Sequence, residues 1–347
     1  MVRHNQKNRC AISIIVLMTV MFSVVSALFP LKANAANIVI CIDPGHGGDN
    51  LGAQYYGKME KDQTLVIGMA LYEELSKYEG ITVVMTRTDD VALSLAERAE
   101  IAEKAGAEFL VSLHLNASET HTFHGAEVWS SGFGSFYSKG NMMGNIVLDE
   151  LNNQCGLFSR KGVKCKLSSS GEEDYYGVIN NSRKRDVTGI IIEHCHMDVS
   201  EDYIYWCNDD ALKRLGIADA TAIAKYYGLH SDILGVDYSD YAPVAVPMPD
   251  EPMGLDITAP DRCNITLLSY EDNVAYFELD AADGDSGICY YSVSKNGGYS
   301  WSRLYKWEDD GTGIIAVYLP EGKSFNVVVK AWNYYQDSTE SNVCSIN

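Results

Sequence analysis

The chain has 347 residues, 46% of them hydrophobic, and a formal net charge of −20. The length suffices for two domains with separate cores. The acidity argues against nucleic acid as a partner, whose phosphates would repel it, and gives no attraction to an anionic membrane.

Residues 1–35 read as a leader. Arg3, Lys7 and Arg9 precede an almost unbroken apolar run over 11–29, and Ala33-Asn34-Ala35 forms a small-x-small cleavage site. That is the layout of a secretory signal peptide. The mature chain is then expected to begin at Ala36, secreted to the cell wall or medium with no stable membrane insertion. Removing the four basic and no acidic residues of 1–35 takes the net charge from −20 to −24. The remaining cysteines include no C-x-x-C pair, which disfavours a zinc ribbon or a thioredoxin motif. Cys41 and Cys195 lie in apolar runs and are expected to be buried free thiols; disulfide pairing cannot be read from the sequence.

From 37 to 229, strand-like and helical runs alternate. The strands fall at 38–42, 81–85, 109–113, 126–129 and 189–192. Each is apolar at consecutive positions, as strands buried on both faces are. Leu65, Met69, Tyr72 and Leu75 recur at helical spacing, and further helices are expected over 94–104, 141–152 and 209–226. Ser94 and Glu97 form a capping box at the start of the second helix. The alternation predicts an α/β domain, a mostly parallel twisted sheet with flanking helices.

Residues 230–256 break the rhythm. Pro243, Pro247, Pro249 and Pro252 fall there among acids, as in an extended linker. From 257 to 347 the pattern is all-β, with short runs at 264–268, 274–279, 288–293, 304–307, 314–318 and 325–331. This predicts a small Ig- or fibronectin-like β-sandwich. SKNGGYSW at 294–301 resembles an Asp-box hairpin, but it occurs once, so a propeller is not expected. The linker argues against a fixed interface, and the sandwich is expected to be dispensable for chemistry.

The candidate chemistry sits where strands of the α/β domain end. His46 follows the first strand, flanked by Gly45, Gly47 and Gly48; His114 ends the third; Glu193 ends the last. Catalytic groups of open α/β sheets gather at these carboxyl ends. Glu60, at the start of the first helix, follows a Gly-containing loop that can return it to His46. Two imidazoles and a carboxylate make a catalytic zinc shell with a fourth position for water. The glycines then have a use, since they turn the loop tightly and leave room for metal and substrate.

Six stretches carry a family resemblance: IDPGHGG at 42–48, GKMEKD at 57–62, MTRTD at 85–89, LSLAER at 93–98, VSLHLNA at 111–117 and IIE at 191–193. In this order and spacing they resemble the catalytic domain of zinc-dependent N-acetylmuramoyl-L-alanine amidases, which cut the stem peptide from peptidoglycan. The resemblance implies one Zn2+ per chain, held by His46, Glu60 and His114, with Glu193 as the catalytic carboxylate that serves as base and then acid. It implies peptidoglycan as the partner and leaves the ligand of the β-sandwich open. Leu115 stands where a small residue is commoner. HCHMD at 194–198 departs from the usual apolar residue and Asn, which puts the substrate-side loop in doubt. Residues 137–166 correspond to a helix and the turn after it, without a long inhibitory insertion. His121, His124, His194 and His196 read as loop or surface residues, and Arg87 and Arg98 as partners of nearby acids. Glu127 and Asn116 are candidates to support the site. Two other classes stay open: a non-catalytic wall-binding protein on the same fold, and a zinc peptidase cutting within the stem peptide. The latter lacks an H-E-x-x-H helix.

Overall fold

A computed structural model describes residues 37–118, 120–307 and 311–347. The leader expected over 1–35 and its cleavage site lie outside the described residues. Among the described residues no helix is long and apolar enough to cross a membrane.

The α/β domain begins with β1 (Ile38–Pro44), α1 (Glu60–Leu75), β2 (Ile81–Met85) and α2 (Leu95–Ala105). It continues with β3 (Phe109–Asn116), β4 (Ala126–Ser130), α3 (Gly134–Cys155), β5 (Ser159–Cys165), α4 (Gly177–Arg183), β6 (Thr188–His196) and α5 (Asp209–Tyr227). One sheet runs β2-β1-β3-β6-β4-β5. All its neighbours are parallel except β4, which lies antiparallel to β6. Helices α1, α3 and α5 cover one face, closing a core around Ile42, Leu71, Val111, Ile192 and Leu215. The other face packs Cys41, Leu110 and Ile191 against Val178 and Ile179 of α4. The Ser94–Glu97 capping box forms as read.

Two features of this domain differ from the sequence expectation. Residues 159–165 make an edge strand rather than part of a turn, paired to β4. β6 runs on past Ile192 to His196, so His194 and His196 are fully buried, and His124 is buried as well. His194 holds its place by pairing with the buried Asp219 of α5 at 2.8 Å, so the cost of burying this polar ring is offset by a hydrogen bond. Of the four histidines, His121 is the exposed one.

The C-terminal region forms two antiparallel sheets. One joins β7 (Arg262–Glu271), β8 (Val274–Ala282) and β10 (Thr312–Tyr318); the other centres on β9 (Ile288–Ser294) and β11 (Phe325–Asn333). Their inward residues, among them Phe277, Leu279, Val317, Val327 and Val329, alternate with exposed ones, as in a sandwich. The Asn296 hairpin is structural: Asn296 Oδ1 accepts from the Ser300 amide at 3.0 Å.

The expectation of a loose tether does not hold. Ile38–Asn347 is one compact unit. Phe123 of the α/β domain, buried, meets Trp332 at 5.6 Å, and Phe158 meets Tyr290 at 5.4 Å, each edge-on. The Tyr290 hydroxyl donates to the carbonyl of His124. Met253 of the linker donates its amide to Gly132 O at 2.8 Å. The prolines extend the segment, but its far end is hydrogen-bonded down.

Candidate metal centre and catalytic carboxylate

The sheet brings the four expected residues to one edge. His114 ends β3, and Glu193 lies beside it in register on β6. His46 sits on the loop after β1, and Glu60 is the first residue of α1. Glu60 Oε1 lies 3.0 Å from His46 Nε2 and 3.1 Å from His114 Nδ1. One ligand atom from each of the three residues falls within 4.8 Å of the others. The rings of His46 and His114 meet edge-on at 4.8 Å.

His46 adopts φ +62°, a left-handed conformation that costs a non-glycine residue. A brace offsets that cost. Asp43, buried, pairs with Arg98 at 2.6 Å and accepts from Thr86 and Ser112. Arg98 donates to the carbonyls of Pro44 and His46 at 2.9 and 2.7 Å. Arg87 donates to Pro44 O, Gly45 O and Lys61 O, so it serves backbone carbonyls rather than an acid. Asn50 Oδ1, 2.9 Å from His46 Nδ1, orients the ring from behind, the usual arrangement for a ligating imidazole.

The residues fit a metal. A Cβ on Gly45 would lie 2.4 Å from His114 Cε1, and one on Gly52 would lie 2.5 Å from Glu60 Oε2 and 2.8 Å from His46 Cδ2. The bare backbone at these two positions is what lets the three ligands converge. Glu60 is buried, yet its carboxyl lies well below the ordinary range: burial alone would raise it, and the two imidazoles overcome that. Its Oε2 accepts from the Ala53 amide and its Oε1 from the Leu115 amide, at 2.8 and 3.0 Å. A rigid, buried carboxylate beside two imidazoles with about a fifth of each side chain exposed is the donor set of an open zinc site. Burial lowers the proton affinity of His46, and the hydrogen bond to Glu60 more than restores it.

Glu193 lies between His114 on one side and Glu127 on the other. The residue is half-buried, and its Oε2, shielded from solvent, has no hydrogen-bond partner among the described residues. Burial first, then the charges of Glu60 and Glu127, push its carboxyl well above the ordinary range, against the pull of Lys164. Glu127 is itself pinned: Lys164 Nζ lies at 2.5 Å, Asn116 Nδ2 at 2.7 Å and Trp129 Nε1 at 3.3 Å. Glu127 and Asn116 are thus hydrogen-bonded to each other beside Glu193. Lys164 was missed, because its strand was missed.

The description of the N-acetylmuramoyl-L-alanine amidase family matches residues 40–225. The chain belongs to that family. It is 39% identical over 112 residues to the probable N-acetylmuramoyl-L-alanine amidase AmiB of Haemophilus influenzae, covering 32% of this chain and 26% of that one. It is 43% identical over 81 residues to the sporulation-specific N-acetylmuramoyl-L-alanine amidase of Bacillus subtilis, covering 23% and 32%. The matched stretches thus span about a quarter to a third of these relatives' length. Among solved structures, Cwp6 from Clostridium difficile superposes with a TM-score of 0.51 at 26% identity, over 55% of this chain and 30% of that one. The amidase match ends before the linker, so the C-terminal sandwich lies outside what this family defines.

Proposed function

We propose that the chain is a zinc-dependent N-acetylmuramoyl-L-alanine amidase, exported to the cell wall, that hydrolyses the amide between the muramic acid lactyl group and L-alanine. The observation that carries this reading is the convergence of His46, Glu60 and His114 with a half-buried carboxylate, Glu193, at the next strand end. His46, Glu60 and His114 would hold one zinc ion. When bound, zinc supplies Lewis acidity to water and to the amide carbonyl.

The chain's own residues do the rest. Glu193 accepts the proton of the attacking water at its carboxylate and passes it to the departing alanine nitrogen, so one group acts as base and then acid. Its half-buried position, without a hydrogen-bond partner at Oε2, suits a group that must both take and release a proton. Glu127 and Lys164 hold the neighbouring strand end and set the field in which Glu193 works. No serine or cysteine nucleophile is required.

The test is digestion of purified peptidoglycan by the zinc-loaded chain, with mass spectrometry of the products. Intact stem peptides with a free N-terminal alanine are expected. Cuts within the stem peptide, or none, would remove this reading.

A further inference from the structure

Over β4 and the end of β5, on the side of Glu193 away from His46 in strand order, lies a cavity of about 460 Å³ that two domains build together. Trp129, Lys166 and Tyr176 line it from the α/β domain, and Tyr335 and Asp337 from the sandwich. One of its wall residues reaches the neighbour of the catalytic carboxylate. Trp129 donates to Glu127, the register partner of Glu193, and Tyr176 lies within the electrostatic reach of both acids. Lys164 stitches the walls together, its ammonium 5.1 Å from the Trp129 ring and 5.5 Å from the Tyr335 ring.

The charges in this cavity are unbalanced locally. Lys166 Nζ sits 3.7 Å over the Tyr175 ring, and among the described residues no carboxylate lies within ion-pair distance of it. Asp337, across the cavity, likewise has no cation at ion-pair distance among the described residues. Its surroundings, which include Asp256 and Asp283, are negative. Lys166 on the α/β wall and Asp337 on the sandwich wall, with Asp256 also lining the cavity, suit a ligand that carries both charges.

We propose that this cavity is a subsite for the peptide part of the substrate, with Lys166 receiving a carboxylate and Asp337 a side-chain amine. The proposal rests on the amidase reading and names its substrate class: a stem peptide with a free carboxylate and, further on, a diamino residue whose amine is free. The aromatic walls could stack on sugars too, but an N-acetylated glycan offers no cation to Asp337. The sandwich thereby becomes a specificity element of the site rather than a detached module.

The probe is the free tripeptide L-alanyl-γ-D-glutamyl-L-lysine, titrated by calorimetry into the zinc-loaded full chain, together with its Nε-acetylated and its α-carboxamide forms. Acetylation is expected to weaken binding about fivefold in the wild type and to make no difference in Asp337→Asn, the scale of a half-exposed charge pair. Amidation should do the same in the wild type and make no difference in Lys166→Met, while Lys166→Arg keeps the discrimination. The proposal fails if the tripeptide does not bind or if its modified forms bind equally well. It also fails if the variants discriminate as the wild type does, or if a muramyl disaccharide without peptide shows the same dependence on Lys166 and Asp337. Hydrolysis is scored separately. Cleavage of the muramyl amide without peptide discrimination sinks the subsite and spares the amidase; discrimination in binding without any cleavage does the reverse.

Discussion

On the His46 side of the site, polar order comes from two arginines reaching backbone carbonyls of a loop: Arg87 and Arg98 hold Pro44, Gly45 and His46 by their oxygens. On the Glu193 side it comes from side chains of adjacent strands, with Lys164, Asn116 and Trp129 all converging on Glu127. The first arrangement fixes where a ligand atom sits and leaves both imidazoles partly open. The second flanks a half-buried carboxylate with fixed charges that bear on how readily it holds a proton. Each side is anchored by one buried ion pair, Asp43–Arg98 or Glu127–Lys164, so the two can be perturbed by like substitutions and compared.

The largest effect is expected for His46→Ala. With two protein ligands left of three, zinc content should fall well below one per chain and amide cleavage should vanish with it. Retained zinc would break the distinction between the sides. Glu193→Gln comes next: zinc content should stay near one per chain while turnover falls by about 10² to 10⁴, the worth of a positioned general base. Wild-type turnover in this variant, or loss of its zinc, would mean that the carboxylate has another role.

The ion pairs sharpen the contrast. Arg98→Met and Lys164→Met should each lower stability by about 3 to 5 kcal/mol, since each strands a buried carboxylate. Their other effects should diverge. Arg98→Met, which releases the His46 carbonyl, is expected to weaken zinc affinity about 10- to 100-fold in a chelator competition. Lys164→Met should leave zinc affinity unchanged and lower turnover instead. Equal effects on zinc would erase the division of labour. The smallest effect is expected at the seam between the domains, where Tyr290→Phe removes one donor from the buried His124 carbonyl. That should cost about 1 kcal/mol and lower the calorimetric melting temperature by about 2–4 °C, with zinc and turnover unchanged.

How far the sequence revealed this differs by element. His46, Glu60, His114 and Glu193 were legible because each stands in a motif tied to a strand end or helix start, and the fold delivers strand ends to one edge. β5 was not legible: Gly162 interrupts it, and Lys164 is buried there only because Glu127 lies across the ladder, a pairing with no local signal. The burial of His194 was hidden for the same reason, since Asp219 lies on a distant helix. The seam was hidden too. Phe123, Phe158 and Tyr290 are isolated aromatics in the sequence, and the proline run between the domains signals extension whether or not its ends are docked.

The seam has a consequence for how the chain breaks. Residues 241–251 are mostly exposed, with Val244 at 85% of its full exposure, and carry no element of their own. They offer a protease its easiest entry. A cut there would sever the backbone without parting the halves, because Phe123, Phe158, Tyr290 and Trp332 hold each other without the peptide link. The nicked protein should elute as one species under native conditions and run as two bands once denatured, and a chain clipped in this way would still carry both walls of the cavity between its halves.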